Sequence, residues 1–404
     1  MIVRQFLLWA RSAPPDQRAE AVAGLAQAYL DGELSPGDRR DAGTALTAML
    51  DDPSSVVRQA MAETLADAAE APRHVIIALA NDQSEISSIV LARSPVLMDA
   101  DLVDCAALGD EPIQVAIARR PYVSIATSAA LAEIAAAGAL AVLAGNPGAE
   151  IADASLWRIV ERHRSDPGLR QALLRRARLP LDIRHAVAVA ASDHLSAYVR
   201  ESGWLGAGRA ERAFGDARDR ATIALAATAP ASDVQRLVAY LRRTGQLTPA
   251  LMLRALLSRS MAFAEAAFAD LARLPPARVA GLLHDRRGAG FSALYDRSGL
   301  PRSLKPAFDA AISAARETSA DLAGGHAQLS RGLVERVLSA CAGSPADQTG
   351  KLMALLRRYE VEAAREAARE AAGDLVNDAA ATLALAYRPI ALIASDRERQ
   401  RKAA

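Results

Sequence analysis

The sequence predicts an all-α protein, an α-solenoid of short helical pairs followed by a second helical subdomain. Three observations lead there. Apolar residues occupy 51% of the 404 positions and aromatics only 4%. Ala, Leu and Val supply most of that apolar content; Ala and Leu lose little on entering a helix, whereas sheets draw on β-branched and aromatic residues. Pro95, Pro121 and Pro147 stand 26 residues apart in matching surroundings: Leu91-Ala92-Arg93-Ser94-Pro95, Ile117-Ala118-Arg119-Arg120-Pro121 and Leu143-Ala144-Gly145-Asn146-Pro147. A fixed period marks stacked units, none of which buries its own apolar face alone.

Residues 1–50 are expected to form an atypical pair of capping helices ahead of repeats running over 51–200. The run Asp51-Asp52-Pro53-Ser54-Ser55-Val56-Val57-Arg58 opens a helix, and Ser165-Asp166-Pro167-Gly168-Leu169-Arg170 repeats its form. Within each unit a short apolar helix precedes the proline, over 86–92, 113–118 and 139–144, and a second follows it, as over 124–137. Proline closes the first helix because its ring pushes the preceding residue out of the α region and cannot donate the next hydrogen bond. Arg93 and Arg119 fall in the last turn, where the helix dipole favours a cation. One unit apart, they are candidates for a ladder of partner-binding guanidiniums.

The Asp-Pro-x-x-Val-Arg pattern at Asp52–Arg58 resembles the start of the second helix of a HEAT repeat, and the array resembles HEAT-like proteins of the leucine-rich-variant kind over about residues 40–200. Its units are shorter than a standard HEAT repeat. The resemblance implies an extended concave surface and hence a non-enzymatic scaffold for a protein or peptide. Some HEAT-like proteins resemble DNA-repair glycosylases, so nucleic-acid binding is the alternative. The balance of 48 basic and 47 acidic residues and the scarcity of aromatics weigh against it.

Around 201–220 the pattern breaks. Gly203, Gly206, Gly208 and Gly215 accumulate among charged residues, which reads as a loop, a subdomain boundary and then a charged helix. A domain over 201–320 follows. Ser232-Asp233 is expected to cap a helix through Arg242 that Gly245 ends, and Thr248-Pro249 to start the next. Further helices are predicted over 261–274, from Pro276 to His284, and over 291–297. The runs Tyr240-Leu241-Arg242-Arg243-Thr244-Gly245-Gln246-Leu247-Thr248-Pro249, Phe263-Ala264-Glu265-Ala266-Ala267, His284-Asp285 and Ala293-Leu294-Tyr295-Asp296-Arg297-Ser298-Gly299-Leu300-Pro301 make residues 216–317 resemble a family of uncharacterised bacterial proteins sharing a domain of unknown function. That resemblance implies no activity. The last segment, 321–404, carries helices separated near Gly324-Gly325 and over 342–350, then a charged tail. Glu362, Glu366 and Glu370, with Arg365 and Arg369 between them, predict a solvated, ion-paired helix.

Catalytic signatures fail on spacing. Gly350-Lys351 lacks the leading glycine of a P-loop, with Pro345 in its place, and Leu352 replaces the hydroxyl residue that holds magnesium. Gly206-Ala207-Gly208 lacks a third glycine, and Gly290-Phe291-Ser292 lacks the second glycine of a nucleophile elbow. Among the six histidines no pair has zinc-helix spacing. Cys105 and Cys341 stand far apart in helix-like runs, which fits a reducing cytoplasm. No cofactor or metal is expected, and no segment reads as a leader or a membrane span.

The densest polar cluster is His284-Asp285-Arg286-Arg287, with Tyr295 and Arg297 close behind. A carboxylate beside a histidine can fix its tautomer for acid–base work, but adjacent residues on a helix point apart, and the residues also suit a helix C-terminus. Arg254, His284, Asp285, Tyr295 and Arg297 therefore join Arg93 and Arg119 as candidate partner-binding residues; a small-ligand sensor or enzyme in this second subdomain is a further alternative.

Overall fold

The structure is a computed structural model that describes residues 2–285, 289–318, 329–342, 350, 352–369 and 371–372. The separators at Gly324-Gly325 and 343–349, Glu370 and the charged tail lie outside the described residues. Those described are helical as expected, and their one β feature is an isolated parallel bridge between Val123 and Ala149. The chain divides into two compact units, Met1–Ser202 and Gly203–Ala404.

The first unit runs α1 (Ile2–Ala10), α2 (Pro15–Leu30), α3 (Pro36–Ala48), α4 (Ser55–Leu65), α5 (Arg73–Ala80), α6 (Ser84–Arg93), α7 (Asp99–Leu108), α8 (Glu111–Ala118), α9 (Ile125–Ile134), α10 (Ala137–Gly145), α11 (Asp153–His163), α12 (Pro167–Arg175) and α13 (Leu181–Glu201). Each even-numbered helix from α2 to α10 packs on the next even one, while α7, α9, α11 and α13 form a second row in the same way. The apolar side chains between the rows form one continuous cluster from Ala19 to Val187. In α10, for example, Ala139, Leu140, Leu143 and Ala144 are buried. Burying each such leucine is worth about 1.5–3 kcal/mol, which an eight- or ten-residue helix cannot gain in isolation.

The expected helix over 124–137 is shorter, because α9 stops at Ile134 and Ala135-Ala136 is extended. Buried Gln114 explains the break. Its side-chain oxygen accepts from the Ala136 backbone N–H at 2.9 Å and its amide donates to the Ala106 carbonyl at 3.3 Å, so the linker is pinned to the preceding unit.

A polar side chain just past the ends of α8, α10 and α12 stitches each unit to the one before it. Arg120 donates to the Leu91 and Ser94 carbonyls at 2.6 and 2.7 Å. Asn146 donates to the Ala118 and Arg120 carbonyls, both at 2.8 Å, and Arg176 to those of Ala144, Asn146 and Ala149. The last carbonyls of a helix have no partner within it; here the following unit supplies donors. Gly148 lies so close to the Pro121 carbonyl that a Cβ would stand 1.9 Å from its oxygen, so the parallel bridge admits no side chain there. At the other end of the array Arg18 holds Asp52 through two 2.8 Å bonds and Arg58 holds Asp82 at 2.6 and 3.0 Å.

The second unit contains α14 (Ala207–Ala227), α15 (Ala231–Arg243), α16 (Pro249–Leu257), α17 (Met261–Ala272), α18 (Pro276–His284), α19 (Ala289–Ser298), α20 (Lys305–Thr318), α21 (Arg331–Cys341) and a helix over 352–369, here α22. The glycine-rich loop expected over 201–220 is confined to 202–206, and Gly208 and Gly215 lie inside α14. Each glycine costs about 1 kcal/mol relative to alanine in a helix, and burial of Ala210, Ile223 and Ala226 offsets that. The expected Ser232-Asp233 cap is also corrected: α15 starts behind Pro230 with no side-chain cap. Gly245 ends the α15 segment at φ +70°, and Thr248 Oγ1 caps α16 by accepting from the Leu251 N–H at 3.1 Å. Few as the aromatics are, Phe268, Phe291, Tyr295 and Phe308 meet here at centroid distances of 5.3–6.2 Å. They fill the space between α17, α19 and α20.

Candidate functional site

The structure disperses the residues singled out in the sequence. Arg93 pairs with Asp67 on the surface, its Nε donating at 2.9 Å. Arg119 caps α8 through its backbone N–H, and its exposed side chain has no hydrogen bond or ion pair among the described residues. Arg120, next to Arg119, binds the protein's own backbone instead, as do Asn146 and Arg176 further along the array.

Four of the other candidates close helices or core contacts. Tyr295 is fully buried and its hydroxyl donates to the Pro301 carbonyl at 2.8 Å; burial pushes its pKa up. Arg297 donates to the Ala272 carbonyl at 2.8 Å, capping α17. His284 meets Glu265 at 3.2 Å, across from α17, and Asp285 caps α18. The carboxylate nearest His284 is therefore a residue of a neighbouring helix and not the adjacent Asp285. Arg286 and Arg287 lie outside the described residues.

Arg254 forms the centre of a network that its sequence neighbours do not reveal. At 1% exposure it is the largest fully buried side chain among the described residues. Its two terminal nitrogens donate to the two Glu362 oxygens, each at 2.8 Å, and its guanidinium lies 4.6 Å from the Tyr359 ring centroid. Burial opposes its charge, but Glu362, Tyr359 and Asp219 together outweigh burial and raise the Arg254 pKa. Burial likewise opposes ionisation of Glu362, yet Arg254 and Arg220 hold its pKa down. Asp219 loses that contest: burial lifts it to about 6 despite the field of Arg254. Tyr359 donates to the Ala250 carbonyl at 3.1 Å, so α22 is tied to α16 at two points. The expected solvated helix over 362–369 is helical, but Glu362 faces inward at 13% exposure and is bound from outside its own helix. Arg220 reaches both Glu362 and Glu366, at 2.8 and 3.7 Å.

In the first unit a groove of about 440 Å³ separates α5 from α7. Ile77, Ala80, Leu97 and Ala107 give it apolar walls, Asp101 and Asp104 an acidic rim, and Leu108 lies at its mouth. Asp101 is held by Arg73 at 2.9 Å, whereas Asp104 is exposed. Leu108 is 88% exposed, and Ile134, one 26-residue unit later at the end of α9, is 40% exposed. Single exposed apolar residues are ordinary; exposure at the same position of successive units is a surface property. A large aliphatic residue that ends two neighbouring helices was visible in the sequence, but nothing there showed that it faces out.

Residues 86–347 match the family described as "Uncharacterised protein conserved in bacteria (DUF2336)". The chain belongs to that family. The match reaches well beyond the expected 216–317, taking in α6 to α13 as well as α14 to α21. Family membership covers the α7–α9 surface and Arg254, whereas Glu362 lies past its end. No curated protein and no solved structure matches the chain. Among the described residues no helix is long and apolar enough to cross a membrane, and no three His, Cys, Asp or Glu side chains gather as a metal site.

Proposed function

We propose that the protein is a non-enzymatic, cytoplasmic interaction scaffold whose HEAT-like amino-terminal array receives a helical segment of a protein partner at the groove between α5 and α7. The observation that carries this reading is the exposure of Leu108 and Ile134 at equivalent positions of adjacent units. An amphipathic helix laid across the ends of α7 and α9 would cover both residues and set its apolar face against Ile77, Leu97 and Ala107. Asp104 at the rim favours basic residues flanking that face, since charge complementarity sets orientation and steers encounter.

The test is the double variant Leu108→Ser/Ile134→Ser. Both side chains are exposed, so thermal unfolding should match the wild type to within about 0.5 kcal/mol. Affinity purification from the native bacterium, followed by mass spectrometry, is expected to lose at least one protein that the wild type retains. An unchanged set of partners rejects the surface.

A further inference from the structure

The second unit holds a groove of about 620 Å³ between α14 and α22. Its walls are two helical stripes. Ala213, Asp216, Ala217 and Arg220 come from α14, spaced as one face of a helix, and the residues of α22 from Arg357 to Arg369 that line it share a face in the same way. Five of the eleven lining residues are arginines.

The carboxylates in the groove are already engaged. Glu362 is held by buried Arg254 and by Arg220, and Asp216 lies 3.5 Å from Arg358. Burial beside Glu362 raises the pKa of Glu366, which weakens it as a counter-charge, and its Oε2 is buried with no hydrogen-bond partner. Arg357, Arg365 and Arg369 are exposed and have no acidic partner among the described residues. Arg365 and Arg369, one helical turn apart, repel each other, an arrangement that opposes helix stability in the absence of a counter-anion. The Arg254–Glu362 pair and the Tyr359 bond to Ala250 fix α22 in place, so the guanidiniums are presented by a braced helix.

We propose that this groove binds a compact oligophosphate of nucleoside-triphosphate size, with Arg365 and Arg369 donating to one end and Arg357 to the other. The stripe from Arg357 to Arg369 spans about 18 Å at helical rise, too long for one phosphate to reach both ends. The volume lies within the range of small-molecule sites, about 300–1,000 Å³. Guanidinium forks match phosphate oxygens in bidentate geometry, and three cations without an acidic partner among the described residues call for a dense anion. A peptide helix would need apolar anchors, and the groove offers only Ala213, Ala217 and Val361.

Titration calorimetry of the full chain with inorganic triphosphate, ATP and a polyglutamate peptide tests the site. Triphosphate and ATP are expected to bind with an affinity that falls as salt rises, and the peptide to bind far more weakly. The double variant Arg365→Ala/Arg369→Ala is expected to lose at least about tenfold in affinity for triphosphate, since each charge-assisted hydrogen bond is stronger than a neutral one. Arg365→Lys/Arg369→Lys should keep part of that affinity, while Arg331→Ala, outside the groove, and Leu108→Ser/Ile134→Ser should keep all of it. Absence of triphosphate binding at millimolar concentration, equal loss in Arg331→Ala, or tighter binding of the peptide than of triphosphate each overturns the proposal. None of these outcomes bears on the partner surface of the first unit.

Discussion

Replacing Arg254 with methionine removes a buried cation and leaves its acidic partner behind. Glu362 would retain Arg220 at 2.8 Å but lose two bonds of equal length, at a site where its side chain is 13% exposed. Breaking a buried ion pair from one side costs about 3–5 kcal/mol. Because Arg220 remains, the lower part of that range applies, about 3 kcal/mol. Glu362→Leu strands the more deeply buried charge at 1% exposure, with Asp219 as a weaker substitute, and should cost about 4 kcal/mol. The double variant Arg254→Met/Glu362→Leu leaves neither charge uncompensated and should cost less than either single change. The cycle therefore gives a coupling of several kcal/mol, read by urea unfolding with hydrogen exchange of α16 and α22 to place the loss. Additive single effects, or a cost below about 1 kcal/mol for Arg254→Met, would refute the assignment of this pair as the clamp on α22.

Three further outcomes follow from other contacts. Asn146→Ala loses donors to the Ala118 and Arg120 carbonyls and the acceptor of the Gly148 N–H, and should destabilise the first unit by about 1–3 kcal/mol in urea unfolding. Gly148→Ala should destabilise it too, since the new methyl meets the Pro121 carbonyl and forces the Val123–Ala149 bridge apart; an unchanged unfolding midpoint would contradict that close approach. Asp219 has its pKa raised by burial to about 6, above the unfolded value of 3.8, so the folded state binds the extra proton. Its contribution to stability is complete below pH 3.8 and declines as pH rises through about 6. Asp219→Asn should accordingly gain on the wild type between pH 4 and pH 7, by up to about 3 kcal/mol in urea unfolding; a difference independent of pH contradicts the shift.

The sequence was legible where structure is set by neighbours in the chain. Pro95, Pro121 and Pro147 marked the ends of α6, α8 and α10 because proline acts on the residue beside it. Thr248-Pro249 and Gly245 likewise announced their helix boundary. Long-range pairing was not legible. Glu362 lies 108 residues from Arg254, and its i,i+3 relation to Arg365 gave a local explanation that was sufficient and wrong. Gly208 and Gly215 suggested a loop because propensity is read one residue at a time, while burial along α14 is collective. Arg93 and Arg119 carried the right period in the wrong register: a single residue separates a surface guanidinium from Arg120, which burial strips of water and turns toward the backbone of the preceding unit.

That backward-pointing hydrogen bonding gives the array a direction. Arg120, Asn146 and Arg176 each reach to the unit before their own, and the carbonyls of Arg120 and Asn146 in turn accept from the unit after. A nascent chain leaving the ribosome can thus complete each helix end only when the following unit has emerged, so closure would follow synthesis with a lag of one repeat. The same polarity makes the register extensible. Duplicating a unit between Pro121 and Pro147 adds a donor for the carbonyls before it and carbonyls for the donor after it, whereas cutting the array after Asn146 exposes acceptors that nothing else in it reaches.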